Sequence, residues 1–185
     1  SSAASDVYKR QLHNLAPERF SILAREQMQA QTLLLKTAAW SLLLRLIALQ
    51  LAAVVPLSDL AQLTHAFSVQ VQSPNTPQDH LNLANRTFLT ATLRYIDAGR
   101  RKEAQQTLAF IRQATVGDLG VEFQIACTKR LLMIDAPDRR VSLRGQQELD
   151  ALIAMLQKIA TPEWTSSWLP ALEALAEAKR CGKDA

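Results

Sequence analysis

The chain has 185 residues, near half of them apolar and only five of them glycine, so it is long enough for one well-buried core. Its net charge of +4, from 21 basic against 17 acidic side chains, sits mainly in Arg100, Arg101, Lys102, Lys129, Arg130, Arg139, Arg140 and Arg144, and is too small to indicate nucleic-acid binding by itself. Two cysteines without any CxxC or Cys/His spacing support neither a disulfide framework nor a zinc site, which makes a reducing cytoplasm the expected compartment. Nowhere do strand-forming residues alternate, and a high Ala, Leu and Gln content predicts an all-α protein.

Ser1 to Gln11, SSAASDVYKRQ, is polar and without helical periodicity. It resembles linker-derived strings at the ends of reading frames translated from metagenome assemblies, and is expected to be a scar. The folded part is then residues 12–180, the back part of a longer protein, with a frayed tail at 181–185. From Pro17 to about Leu35 the set Phe20, Leu23, Ala24, Met28 and Leu34 predicts a helix. Ala38 to Val55, AAWSLLLRLIALQLAAVV, approaches the length of a membrane span, but Arg45 in its middle makes a buried helix the better reading. That Arg must find water, an acid or a ligand. Pro56 ends the segment, and Ser58 is expected to cap a helix from Asp59 to about Val69, facing inward with Leu60, Leu63, Ala66 and Phe67. His65, close to that stripe, reads as partly buried.

After the QSPNTP loop, Thr76 is expected to cap and Pro77 to open the central helix. There Leu81, Ala84, Phe88, Ala91, Thr92 and Tyr95 share one face, Ala104, Leu108 and Ile111 continue the pattern, and Gly99 lies between, where positive φ is wanted. An antiparallel hairpin follows. Its Phe88, Tyr95, Gly99, Ala104, Leu108 spacing resembles the tetratricopeptide pattern, which implies an array of antiparallel hairpins in a right-handed superhelix with a concave wall. Leu119 to Ile134, with Val121, Ile125, Thr128 and Leu132, and Val141 to Ile159, with Leu149, Ile153 and Leu156, are further helices. Thr161 and Pro162 begin the last one, whose apolar face holds Trp164, Trp168, Leu172 and Leu175 and which Pro170 is expected to kink or split.

His13, His65 and His80 are scattered, and the chain holds no HExxH, GxSxG, GxGxxG or phosphate loop. No catalytic residue, metal ligand or cofactor is expected, and Cys127 reads as a small buried hydrophobe. A second face of the central helix mixes Asn82, Asn85 and Arg86 with Leu89, Leu93 and Ile96. With Arg45 these form the expected peptide groove, because amides and a guanidinium satisfy a ligand's backbone while apolar residues accept its side chains. The competing reading has the apolar members packing on a neighbouring hairpin.

From about Trp40 to Arg180 the chain resembles the regulatory carboxy-terminal domain of the Rgg/GadR/MutR family of bacterial transcriptional regulators. The carriers are WSLLLRLIALQLAAVVPLSDLAQLTHAF, the central hairpin, and GQQELDALIAMLQKIATPEW. The resemblance implies a cytoplasmic, non-enzymatic domain that senses a short peptide in quorum sensing, forms a homodimer, and reaches DNA only through an amino-terminal domain missing here. Where the family places an Asn after the aromatic, this sequence has Ile47, Ala48 and Leu49. A tetratricopeptide-like scaffold with no link to DNA is the alternative.

Overall fold

Side chains recurring at steps of three and four bury one stripe of each helix, and the computed structural model, which describes residues 24–112, 119–161, 165 and 168–181, is built on that period. Among the described residues there are eight helices and no strand: α1 (Ala24–Lys36), α2 (Leu42–Val54), α3 (Leu57–Gln70), α4 (Gln78–Asp97), α5 (Arg101–Leu108), α6 (Leu119–Ile134), α7 (Arg139–Ile159) and α8 (Leu169–Cys181). The readings made for Ser1 to Gln11, for the first helix before Ala24, for Trp164 and for residues 182–185 lie outside the described residues.

Several helix starts differ from expectation. α3 and α4 are capped by Pro56 and Pro77 in extended conformation, whose carbonyls accept from Leu60 N and Leu81 N at 3.0 and 3.1 Å. Ser58 and Thr76 do not cap. Ser58 lies inside the helix and donates to Asp59, while Thr76 Oγ1 donates to Ser73 O at 2.7 Å and closes the preceding turn. Proline supplies the preset φ and lacks the N–H that a first turn leaves unpaired, so no side-chain cap is needed to end the chain's extended run. For the same reason Pro170, second residue of α8, sits in a first turn: of the two expectations the split holds and the kink does not, since Thr165 is helical, Trp168 lies in a turn and α8 begins at Leu169.

Gly99 has φ of 71°, with its N–H on Ile96 O and the Arg100 N–H on Tyr95 O at 2.8 Å, the two bonds of a Schellman ending. It reverses the chain between α4 and α5. α6 and α7 run antiparallel, as Ser142 Oγ on Ile134 O (2.8 Å) and Arg130 Nε on Glu148 Oε2 (3.1 Å) show. At their crossing a Cβ on Gly145 would lie 2.5 Å from Met133 Cβ and 2.9 Å from Ile134 N, so only glycine lets the backbones meet.

The principal packings join each helix to the next or the next but one, and α2, α4, α6 and α8 form a continuous row. α4 touches α2, α3, α5 and α6, and is accordingly buried on nearly every side. Its buried threonines cost little, since Thr87 and Thr92 donate to Leu83 O and Phe88 O one turn back. A ladder of rings crosses the core: Trp40 to Phe67 (5.1 Å between centroids), Phe67 to Phe88 (5.9 Å) and Phe88 to Phe110 (5.5 Å), all tilted.

Candidate functional site: a trough between α7 and α8

The seven residues expected to form one groove are distributed through the core and its edges. Leu89 and Ile96 are fully enclosed. Leu89 clusters with Val121 and Ile125 of α6, so the second face of α4 is the contact with the next helix of the row. Asn85, 1% exposed, donates to Arg112 O at 2.9 Å and accepts from Arg112 N at 3.2 Å, fastening the chain that follows α5. Asn82 accepts from Gln78 Nε2 at 3.0 Å, Arg86 is exposed, and Leu93 lines a hollow of about 420 Å³ with Arg94, Leu172 and Leu175.

Arg45 reaches neither water nor an acid. It is buried, with Nε on Trp40 O and Nη2 on Gln70 O, both at 3.2 Å, and its guanidinium lies 5.6 Å from the Phe67 ring centroid. Gln70 closes the node by accepting from Trp40 N and donating to Ala38 O, both at 3.0 Å. Two carbonyl dipoles and a ring face thus replace only part of the water that the cation gave up, since its Nη1 is enclosed without a hydrogen-bond partner among the described residues, and burial pushes its pKa below the ordinary value. His80, half-buried, is also held below the usual histidine pKa, first by burial and then by the Arg45 charge, which favours the neutral ring. His65 is exposed, because the inward stripe of α3 runs through Leu60, Leu63, Thr64 and Phe67.

The concavity the structure builds is elsewhere. α8 packs on α6, as does α7, and hollows lie where α7 and α8 face each other. One end holds about 540 Å³ lined by Ile134, Ala136, Arg139, Leu143, Gln146 and Arg180. The other holds about 490 Å³ lined by Asp150, Ile153, Gln157, Glu173, Glu177 and again Arg180. The α7 residues concerned, Arg139, Ser142, Leu143, Gln146, Asp150, Ile153, Ala154 and Gln157, recur at steps of three and four, so both hollows lie on one face of one helix. Eighteen residue steps at 1.5 Å put the far ends of the two hollows about 27 Å apart along α7, with Arg180 shared between them.

Arg180 lies across the middle, paired with Asp150 and, at 3.5 Å, with Glu177, while Lys179 pairs with Asp135 at 3.5 Å and fixes the end of α8. The trough is polarised: arginines line the end near Arg139, and three carboxylates line the end near Glu173. Leu143, half-exposed, and Ile153 give it apolar surface. Sequence reasoning read Ile153 only as part of the apolar stripe of this helix and singled out none of these residues as a site, although the mixed stripe along α7 is readable at helical spacing.

Burial raises the Cys127 thiol to about 11, so it is an inert part of the core. Among the described residues no three His, Cys, Asp or Glu side chains gather to hold a metal, and no helix is long and apolar enough to cross a membrane. Compared with known proteins, the chain matches no family model and no curated sequence.

Proposed function

We propose that the chain is a non-enzymatic sensing and dimerisation module of a cytoplasmic transcriptional regulator, and that it binds a short extended peptide in the α7–α8 trough. The observation that carries this reading is the trough itself. At about 3.3 Å per residue its length accommodates roughly eight extended residues. Amide and charged side chains along it satisfy a peptide's polar groups, and Leu143 and Ile153 accept apolar ones. Its polarity sets direction: the peptide carboxylate lies toward Arg139, and the amino end toward Glu173 and Glu177. The likeness of the Trp40 to Arg180 stretch to regulator domains supports the link to DNA.

Titration calorimetry with hydrophobic octapeptides bearing free carboxylates tests the site. Arg139→Glu is expected to weaken binding by about 1.5–3 kcal/mol, the worth of a charged hydrogen bond, and Arg86→Ala to leave it unchanged. Peptides that bind both the parent and Arg139→Glu equally, or a panel that gives no heat with the parent, overturn the assignment. Sequencing the gene upstream of Leu12 tests the regulator half, for which a helix-turn-helix is expected.

A further inference from the structure

α4 and α8 both pack on α6, and a hollow of about 420 Å³ lies where they face each other. α4 contributes Leu93, Arg94 and Asp97 to it, and α8 contributes Leu172, Leu175 and three alanines. Apart from one cation and one carboxylate the walls are therefore aliphatic. The volume falls within the range of roughly 300–1,000 Å³ usual for small-molecule sites, which combine apolar walls with a few polar groups.

The two charged groups differ from the other charges at this end of the row. There Arg100 is paired with Glu103, Lys179 with Asp135, and Arg180 with Asp150. Arg94 and Asp97 stand one helical turn apart, where opposite charges are near enough to meet, yet they form no ion pair with each other or with any other described residue. Arg94 is half-buried, and its side chain makes one hydrogen bond, from Nη1 to Ala52 O at 2.8 Å. Burial lowers its pKa, as expected of a guanidinium that has lost water without gaining an acid. Asp97 is exposed.

We propose that this hollow binds one free apolar α-amino acid, with its carboxylate on Arg94, its ammonium on Asp97 and its side chain against Leu93, Leu172 and Leu175. Each charge excludes a simpler ligand. A fatty acid would bring its carboxylate to Arg94 beside Asp97, like charge against like, and an aliphatic amine would meet the converse repulsion from Arg94. A zwitterion answers both. An amino acid bears its two charged groups on one carbon, which suits side chains three residues apart on a helix, with Cβ atoms about 5–6 Å from each other. In a peptide the chain carries those groups apart. Aliphatic walls then select an aliphatic side chain, since a polar one would lose water there without a partner to replace it.

Titration calorimetry of the full chain with L-leucine is the test, and saturable binding is expected. Leucinamide lacks the carboxylate, N-acetylleucine the ammonium and glycine the side chain, and each is expected to bind at least about tenfold more weakly. Asp97→Asn and Arg94→Gln are expected to weaken leucine by a similar factor of about ten or more. Arg94 also holds a carbonyl of α2, so Arg94→Gln is read only if its circular dichroism and thermal midpoint match the parent; Asp97→Asn and Ala178→Trp, both at exposed positions, carry the test otherwise. Ala178→Trp fills the hollow and should abolish leucine binding. No heat with leucine at about 10 mM, leucine binding indifferent to Asp97→Asn and Ala178→Trp, or leucinamide and N-acetylleucine binding as tightly as leucine overturns the proposal. Ala178 does not line the α7–α8 trough, so octapeptide binding should survive its replacement, and the two sites stand or fall separately.

Discussion

At the scale of single residues, the least replaceable position is Gly145. Glycine in a helix interior costs about 1 kcal/mol relative to alanine, so Gly145→Ala would stabilise an isolated α7. In the folded protein the added methyl would meet Met133 Cβ at 2.5 Å and backbone atoms of α6 at 2.9 and 3.0 Å, and backbone does not yield as a flexible side chain does. Overpacking of this kind costs roughly 1–3 kcal/mol and outweighs the gain in propensity. Urea denaturation of Gly145→Ala is therefore expected to show a net loss of stability; a higher midpoint would mean that α6 and α7 separate freely. Arg45 teaches the complementary lesson. A lone cation in an apolar run reads as a side chain in need of a ligand, yet the Trp40 carbonyl just before α2 and the unpaired Gln70 carbonyl at the end of α3 hold two of its three nitrogens.

At the scale of elements, Phe88 is the middle rung of the ring ladder, between Phe67 of α3 and Phe110 after α5, and it has no exposed surface. Phe88→Ala is expected to cost about 3–5 kcal/mol, measured as a drop in thermal or denaturant midpoint. An unchanged midpoint would remove α4 from the centre of the core. How much of this was legible follows from what periodicity encodes. Phe88, Tyr95 and Gly99 were readable because one helix face and one positive φ are local properties. The roles of Leu89 and Ile96 were not, because a stripe shows that a face is covered without showing by what; here Leu89 meets α6, Ile96 joins the main core, and Asn85 serves the chain after α5. The trough was hidden for a deeper reason. It exists because α7 and α8 both pack chiefly on α6 and meet each other through little more than the Arg180–Asp150 pair, a relation among three helices that no single stripe carries.

At the scale of the molecule, the arrangement is a row in which α4 has four principal neighbours and α8 one. Protection of backbone amides against deuterium exchange should be greater in α4 than in α8, since local opening costs the contacts an element makes. Faster exchange in α4 than in α8 would show that the row is not the cooperative unit. The same connectivity bears on how the chain acquires its structure. Principal contacts skip at most one helix, so most of the loops that must close are short, and short closures demand little chain entropy before contacts repay it. Each helix after α1 finds at least one of its principal neighbours already made when it leaves the ribosome, a connectivity suited to folding in the order of synthesis.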